Sequence, residues 1–512
     1  MSDDSNTRIA KNTIFLTIRV IVVTLISLYT SRVILQQLGV SDFGIYNIVG
    51  GLVGLINFLT FAIGASMQRF ICKELNTGDN QRVQSVYASC CWVAIVTIII
   101  SVVVLDTVGY WFVTSKLNIP ANRADVAIIV LQFSILNICF EIFKHLFHSL
   151  IVSFEKMQFY AYVSIADAVL KLMVVFLLSV STFDKLISFS ALQSLMSFVI
   201  LILSGLYCRL KFKNIHLSLK AKFSEFKSIS IFSFWSSVSC ASDVACVHGS
   251  NIIVNLFYGV VVNASVGVTN QVKNALYAFT RNIQVAANPQ IYSHFSSGNL
   301  QEGKTLVFRI SKFSFYIMLA FGLPILFNIR TILSIWLVEV PPYCAELVSC
   351  LLLFCGVDAL NGPLWTALQG VGRIKYNQII ISFLTVLNLP IIYFLFYLGA
   401  APQYLFIVQL CMLPIIIFTR LLFAKKYCDI SYSEYFRNVV ISIVTVSFIS
   451  TILPTLLCFF AYNSGFVYLI SSFVLSFISA LVSIYYFGLD KVEKNMCNKK
   501  IKSLLNKVLK CS

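Results

Sequence analysis

The sequence predicts an all-α polytopic membrane protein with about 14 transmembrane helices, and three observations support that prediction. Apolar segments of about 20–28 residues follow one another along the chain, and about 20 apolar residues cross a bilayer core as a helix. Of the 512 residues, 58% are hydrophobic and only 12% are charged, whereas a soluble domain carries about 25% charged residues. Most connecting loops are also short. The chain therefore has little room for a soluble catalytic domain.

The predicted spans form two groups of six, followed by two more. They cover, in order, residues 12–36, 44–67, 85–113, 126–151, 159–181, 186–208, 229–255, 258–287, 308–331, 345–368, 376–398, 402–424, 437–461 and 465–487. Because six is even, both groups begin on the same side, as a parallel pseudo-twofold repeat requires. The predicted regions are an N-lobe at 1–208, a basic linker at 209–228, a C-lobe at 229–424, helices 13–14 at 425–487 and a Lys-rich tail at 488–512.

Basic residues in the loops determine the predicted orientation. The formal net charge is +17, and nearly all loop Lys and Arg residues fall on the side that holds both termini. By the positive-inside rule, we predict that both termini are cytoplasmic. The rule also accounts for the basic charge without a nucleic-acid partner. The first apolar segment is too long for a signal peptide, so we expect it to be the first span.

The fifteen cysteines are scattered through apolar segments, and no CxxC motif is present. The cysteines do not have the spacing that is typical of metal or disulfide sites, so we interpret them as small apolar residues. The outward loops contain no acid/base pair, nucleophile constellation or metal-ligand cluster. The sequence therefore predicts no cofactor and no metal site, and it does not favour an enzyme.

Ionisable residues inside predicted spans are candidates for function, because hydrocarbon tolerates them only beside a partner or a cavity. The fourth span carries one stripe spaced i, i+3, i+4 and i+7, and the fifth carries two charges spaced i, i+4. These residues are Glu141, Lys144, His145 and His148, then Asp167 and Lys171. Two interpretations stay open: the charges pair to lock the two helices together, or they line a polar cavity and carry protons.

The eighth span has a continuous polar stripe on one face, consisting of Lys273, Tyr277, Arg281, Gln284 and Asn288. No acidic residue shares this span, so the stripe requires an anionic partner from elsewhere. One interpretation pairs Lys273 with Asp243 of the seventh span. The other lets Lys273 or Arg281 bind a substrate phosphate. Arg281 lies near the end of the span and can also reach the interface.

Four more ionisable residues are isolated. Arg19 and Arg32 lie in the inner and outer thirds of the first span, on different faces, and we expect Arg32 to anchor at the interface. His248 in the seventh span is interpreted as a buried packing residue. Asp358 in the tenth span precedes Asn361-Gly362-Pro363, where we expect the helix to break. Broken helices often mark transport paths.

Short motifs at the ends of the spans carry a family resemblance. They are Arg32, Leu38-Gly39, Asp42-Phe43-Gly44 and Tyr46 in the first hairpin, Ala287-Asn288-Pro289-Gln290 closing span eight, and Ala367-Leu368-Gln369-Gly370-Val371-Gly372-Arg373 after span ten. Together with the helix number and the six-plus-six division, they resemble Wzx-type polysaccharide or O-antigen flippases. That family belongs to the multidrug/oligosaccharidyl-lipid/polysaccharide (MOP) exporter superfamily. The resemblance covers essentially residues 10–490.

The resemblance implies a flippase that translocates undecaprenyl-pyrophosphate-linked oligosaccharide repeat units, of O-antigen or capsule, by alternating access. It implies a multi-pass protein of the bacterial inner membrane. Its partners would be the lipid-linked oligosaccharide, the bilayer, a coupling ion (H+ or Na+) and other polysaccharide-assembly proteins. The cavity would be lined by helices one, two, seven and eight. Because they lie on these helices, Lys273, Arg281, Asp243 and Arg19 are expected at the cavity. Tyr277 and Gln284 are added because they belong to the polar stripe of the eighth span.

Coupling would come from a carboxylate that changes protonation between states, with Glu141, Asp243 and Asp358 as candidates. The alternative function is a MATE-like drug or cation antiporter of the same superfamily. Its pocket should favour unpaired acids and aromatic residues over Lys and Arg. A membrane enzyme such as a glycan polymerase or ligase is disfavoured, because the outward loops are short.

Overall fold

The computed structural model describes residues 56–115, 123–178, 183–218, 220–337, 340–461 and 466–491, with scattered positions within 15–53 and 493–498. The described residues form helices joined by short turns, and none of them forms a strand. Hydrocarbon offers no partner to backbone N–H and C=O groups, and a helix satisfies these groups internally. The all-α prediction is confirmed.

Within the described residues, the helices are numbered in chain order. They are α1 (Asn57–Leu75), α2 (Asn80–Ser115), α3 (Ala124–Ser153), α4 (Met157–Leu178), α5 (Lys185–Lys211), α6 (Phe223–Ser296), α7 (Leu300–Trp336), α8 (Cys344–Asp358), α9 (Asn361–Val371), α10 (Lys375–Tyr397), α11 (Tyr404–Cys428), α12 (Tyr432–Phe459) and α13 (Val467–Gly488). A turn of π-helix interrupts α2 at Leu105–Gly109 and α12 at Phe436–Val440.

Eleven segments of the described chain are long and apolar enough to span a membrane. They coincide with predicted spans three to seven and nine to fourteen, with α8 and α9 together forming the segment Cys344–Val371. Predicted spans one and two are only partly described, span one at scattered positions and span two mainly from residue 56 onward. Span eight is helical but is not among the eleven, which agrees with its stripe of polar side chains.

Two helix breaks expected from the sequence are present. Inside α6, Gly259 has φ 74° and ψ −171°, a conformation that glycine adopts readily because it has no Cβ. This kink separates predicted spans seven and eight. The second break lies where α8 ends at Asp358 and α9 begins at Asn361. Pro363 follows, and a proline has no N–H to continue a hydrogen-bonded helix. The predicted break beside Asp358 is confirmed.

The described chain divides into two compact units, each with its own apolar core. In unit 1, α3 packs against α1 and α5; in unit 2, α7 packs against α8, α12 and α13. Unit 1 comprises the described residues up to Val247 with Val285–Asn299 and Leu368–Val386, and unit 2 comprises His248–Gln284, Leu300–Ala367 and the described residues from Leu387 onward. The two-lobe division of the sequence analysis stays a prediction.

A charged cluster in unit 1 joins three segments that the sequence predicts on the outer side. Arg123, just before α3, donates from Nη2 to Asp42 Oδ2 at 2.7 Å and from Nη1 to Asp184. Asp184 also caps α5, since its Oδ1 accepts from the N–H groups of Leu186 and Ile187 at 3.0 and 3.2 Å. Burial raises the pKa of Asp184, but Arg123 and the two N–H groups outweigh burial and hold that pKa below its ordinary value. The cluster therefore favours an ionised Asp184.

Replacing Arg123 with alanine should lower the thermal stability of the protein by several degrees, because two neighbouring carboxylates lose their shared donor. A hydrogen bond to a charged group contributes about 1.5–3 kcal/mol, and partial exposure reduces that value here. Thermal unfolding in detergent measures the effect. Asp184→Asn is the matched control, because asparagine keeps the helix cap and should cost less than Asp184→Ala. An Arg123→Ala variant as stable as the wild type would contradict the stabilising role.

Candidate functional site

The candidate site lies in unit 2, where the part of α6 after Gly259 contacts the break between α8 and α9. A break in a membrane helix frees backbone groups that need partners. Gln284 supplies one, since its Nε2 lies 3.4 Å from the carbonyl oxygen of Ala359 and 3.3 Å from Ser314 Oγ. The predicted polar stripe of α6 is therefore directed at the predicted break.

Asp358 is at the centre of this site. Its Oδ2 accepts a hydrogen bond from the Tyr277 hydroxyl, and its Oδ1 accepts one from Asn361 Nδ2 at 3.0 Å. Asn361 is buried, and its Oδ1 has no hydrogen-bond partner. A carboxylate and an unpartnered amide oxygen thus lie close together where the helix is interrupted. Such a group of oxygens can hold a proton or a small cation.

Lys273 lies one helical turn before Tyr277 and contacts aromatic faces. Its Nζ is 5.7 Å from the ring centroid of Tyr277 and 5.1 Å from that of Phe354, which is within the range of cation–π attraction. Lys273 is half-buried, and no described carboxylate forms an ion pair with it. Its ammonium group is therefore available to an anionic ligand.

Arg281 completes the group that the structure brings together. Its guanidinium carbon lies 5.9 Å from the Tyr277 ring centroid, and its side chain is exposed. Five of the predicted site residues are thus neighbours in unit 2: Lys273, Tyr277, Arg281, Gln284 and Asp358. Within the described ranges, no group of three or more His, Cys, Asp or Glu side chains is placed to hold a metal ion.

The ionisable residues of α3 and α4 form a second polar region, in unit 1. Lys144 donates to Glu141, and Lys171 Nζ lies 2.8 Å from Asp167 Oδ2. The ion pair expected from the i, i+4 spacing of Asp167 and Lys171 is therefore present, and Glu141 pairs with Lys144 of its own helix. Each ion pair lies within one helix, and its attraction lowers the cost of placing charge in hydrocarbon. Glu141 of α3 also attracts Lys171 of α4 electrostatically.

Arg19 and His148 meet at a third residue of unit 1, Tyr160. The guanidinium carbon of Arg19 lies 4.8 Å from the Tyr160 ring centroid, and the His148 ring contacts the same ring edge-on at 5.1 Å. Arg19 Nε and His148 Nε2 are both buried without a hydrogen-bond partner. No described carboxylate forms an ion pair with Arg19. Unit 1 therefore also holds a cation whose described partner is an aromatic ring.

Three residues singled out in the sequence are not part of these groups. Asp243 is exposed and belongs to unit 1, whereas Lys273 belongs to unit 2, so their pairing stays a prediction. His248 is exposed, and its interpretation as a buried packing residue was wrong, because α6 turns this position to the surface of unit 2. Arg32 lies outside the described residues.

Sequence reasoning missed a hydrogen-bonded group in unit 1, named the inner cluster, that consists of Arg69, Asn76, Tyr292, Ser293, Gln369 and Gly370. Arg69 is 7% exposed and donates to the backbone carbonyls of Gln369 and Gly370. Its guanidinium carbon also lies 4.6 Å from the Phe70 ring centroid and 4.7 Å from that of Phe232. A buried cation is thus satisfied by carbonyl oxygens and aromatic faces.

The inner cluster also joins α1 to the end of α6. Asn76 Nδ2 donates to the Ser293 carbonyl at 2.9 Å, and Ser293 Oγ donates to Asn76 Oδ1 at 2.6 Å. The Tyr292 hydroxyl donates to Gln369 Oε1 at 2.7 Å. No carboxylate takes part in these bonds, so charge complementarity could not have indicated them. The one available signal was Gln369-Gly370 within the motif after span ten.

No protein-family model and no curated protein sequence matches the chain. Solved transporter structures do match its fold. A MATE transporter in complex with MaD3S has a TM-score of 0.72 at 13% identity, over 82% of this chain and 96% of that chain. An outward-facing multidrug resistance MATE family transporter of the MOP superfamily has a TM-score of 0.74 at 13% identity, over 83% and 96%.

A third match concerns a transporter with a different pocket. It is a MOP superfamily transporter from Pyrococcus furiosus, described as having a binding pocket of reverse polarity that suggests a different function. Its TM-score is 0.71 at 12% identity, over 84% of this chain and 98% of that chain. These likenesses show that the chain has the fold of these transporters. The eleven described segments that are long and apolar enough to cross a membrane support a multi-pass membrane protein. The fold agrees with the superfamily expected from the sequence, and the flippase subtype is not confirmed.

Proposed function

We propose that this protein is an ion-coupled transporter that works as an antiporter of the MATE type. One observation carries the proposal: the fold likeness extends over 96–98% of the matched transporter chains. That likeness favours the alternative of the sequence analysis, the antiporter, over its main interpretation, the flippase. The matched proteins are transporters, and we assign no enzymatic reaction to this chain.

We assign the coupling ion to Asp358. A proton or a sodium ion at this carboxylate would compete with the hydrogen bonds from Tyr277 and Asn361. Binding the ion would therefore loosen the contact between α6 and the break at the end of α8. A discontinuous helix suits ion binding, because its interrupted backbone exposes carbonyl oxygens that can coordinate the ion without adding charge. Binding there can couple an ion gradient to helix movement.

A second candidate, the lipid-linked oligosaccharide flippase, is favoured by one specific observation. Lys273 and Arg19 are both half-buried cations with aromatic contacts and no described carboxylate in an ion pair. A pyrophosphate would satisfy such cations strongly, and the side chains of Tyr277 and Gln284 suit sugar hydroxyls. The reverse-polarity pocket described for the Pyrococcus furiosus transporter supports the idea that this fold can carry binding pockets of different polarity.

A deletion strain of the source organism separates the two candidates. Higher accumulation of cationic dyes or drugs, with unchanged surface polysaccharide, would support the antiporter. Lost surface polysaccharide, with lipid-linked repeat units accumulating on the inner leaflet, would support the flippase. In either case a plasmid copy should reverse the effect. A strain that shows neither effect would contradict both assignments.

Lys273→Gln should have opposite effects on the two kinds of cargo. Export of a cationic dye should be unchanged or faster, because a like charge is removed. Movement of a pyrophosphate-linked cargo should fall at least tenfold, because a charge-assisted hydrogen bond contributes about 1.5–3 kcal/mol. Lys273→Arg is the matched control, since it keeps the charge, and immunoblotting verifies the protein level. Slower dye export by Lys273→Gln, with Lys273→Arg at the wild-type rate, would contradict a cationic cargo at this site.

A further inference from the structure

The basic linker, residues 209–228, is a cationic segment that comprises the end of α5, the connecting loop and the beginning of α6. It contains six basic residues and a single acidic one, Glu225. The basic residues are all exposed: Arg209, Lys211, Lys213, Lys220, Lys222 and Lys227. No described carboxylate forms an ion pair with any of the six. The carboxylate of Glu225 is instead occupied, since its Oε2 accepts from Ser85 Oγ at 2.7 Å and Ser89 Oγ at 3.3 Å.

The linker is held in place by its backbone and its buried apolar residues. Gln84 of α2 donates from Nε2 to the carbonyl oxygen of His216 and accepts the His216 N–H at Oε1, both at 2.8 Å. Phe212 and Ile215 are 8% and 4% exposed. The backbone around Phe212, Ile215 and His216 is therefore anchored, so less conformational entropy is lost there when a ligand binds.

Large apolar side chains are exposed between the lysines. Leu210, Leu217 and Phe223 are 73%, 54% and 77% exposed. Two of them flank helix ends, since α5 ends at Lys211 and α6 begins at Phe223. Both helices contain segments that are long and apolar enough to span a membrane, which would place the linker at the level of the lipid headgroups. Cations interleaved with exposed apolar residues at that depth match a surface of anionic headgroups above acyl chains.

We propose that the basic linker is a docking surface for anionic phospholipid headgroups of the leaflet predicted to be cytoplasmic. Its lysines bind the phosphate groups, and Leu210, Leu217 and Phe223 insert among the upper acyl carbons. A soluble acidic partner would match the charge but would leave these three apolar side chains in water. The proposal is independent of the cargo, because no residue of the candidate site takes part.

The test uses the full-length protein in detergent, titrated with phosphatidylglycerol or phosphatidylcholine and followed by native mass spectrometry. The variant replaces four lysines with glutamine, at Lys211, Lys213, Lys220 and Lys222, and the matched control replaces the same four with arginine. We expect at least tenfold weaker phosphatidylglycerol binding for the glutamine variant and unchanged binding for the arginine variant. Raising the salt to about 0.5 M should weaken wild-type binding, because exposed charges are screened.

A second measurement distinguishes weaker lipid binding from unfolding of the variant. The melting temperature in nanodiscs of pure phosphatidylcholine should be equal for wild type and both variants. Adding phosphatidylglycerol should then raise the melting temperature of the wild type and the arginine variant, and leave the glutamine variant unchanged. Equal retention of the two lipids by the wild type, or full binding by the glutamine variant, would overturn the proposal. So would loss of binding in the arginine variant, because charge would then not be the determinant.

Discussion

Asp358→Asn is expected to lower ion-driven transport at least tenfold while the protein remains folded in the membrane. Asparagine keeps an oxygen that can accept the Tyr277 hydroxyl hydrogen bond, but it cannot be protonated near neutral pH and carries no charge for a cation. A tenfold effect corresponds to about 1.4 kcal/mol. The measurement is cargo movement in proteoliposomes under an imposed proton or sodium gradient. Transport by Asp358→Asn at the wild-type rate would exclude Asp358 from coupling.

Two further variants separate charge from hydrogen bonding at this position. Asp358→Glu keeps the charge and should retain a measurable part of the coupling. Tyr277→Phe removes one hydrogen bond to the carboxylate but keeps the ring that contacts Lys273, so it should shift the ion concentration for half-maximal transport. If only Asp358→Asn loses coupling, then coupling depends on the charge of Asp358. Equal loss in Asp358→Asn and Tyr277→Phe would instead indicate that the hydrogen bond matters most.

Arg69→Ala is expected to destabilise unit 1 more strongly than Arg123→Ala does. It leaves two buried carbonyls, of Gln369 and Gly370, without their donor, and a buried unsatisfied polar group costs about 1–3 kcal/mol. It also removes the stacking on Phe70 and Phe232. Thermal unfolding in detergent should show a loss of about 3 kcal/mol or more. Arg69→Lys should recover part of it, because an ammonium reaches a carbonyl but lacks the planar fork.

Gly372 provides an independent test of the same contact. Its φ is +87°, and a Cβ at this position would collide with the Arg69 guanidinium. Gly372→Ala should therefore destabilise through both backbone strain and collision. In an Arg69→Ala background only the strain remains, so the two substitutions should be clearly less than additive. Strict additivity would indicate that Arg69 does not occupy the position adjacent to Gly372.

The parts of the fold and site that could be predicted from the sequence depend on local signals. Pro363 has no N–H to donate to the carbonyl of Ala359 four residues earlier, and the break beside Asp358 follows from that chemistry. The i, i+3 and i, i+4 charge pairs of α3 and α4 are fixed by helix geometry, since no distant residue is needed to form them. Likewise, the stripe on α6 is a property of one helix. Its grouping with Asp358 was not predicted, because Asp358 is isolated in the sequence analysis, which offers Asp243 or a substrate phosphate as the partner of the stripe.

The parts that could not be predicted depend on contacts between distant segments. Arg69 binds backbone carbonyls, and every residue carries a carbonyl, so no side-chain type marks its partner. Lys304 and Lys312 of α7 are likewise buried against acids far along the chain, Asp429 and Glu434 for Lys304, and Asp490 and Glu493 for Lys312. From the sequence alone, several other acidic residues could have been paired with these lysines equally well. The substrate could not be predicted from the sequence for the same reason, because a cation beside aromatic rings can bind more than one kind of anion.

The contact between Arg69 and Gln369 spans 300 residues of sequence, and this separation has a consequence for how the protein is made. At about 5–20 residues per second, the ribosome delivers the carbonyl partner about 15–60 s after Arg69. During that interval α1 is already in place, yet its arginine has none of the acceptors that bury it. Unit 1 therefore cannot be completed during the synthesis of its own first helices. Its assembly waits for α9, and a nascent chain that stalls before Leu368 would present an unfinished, partly charged helix bundle to the quality-control proteases of the membrane.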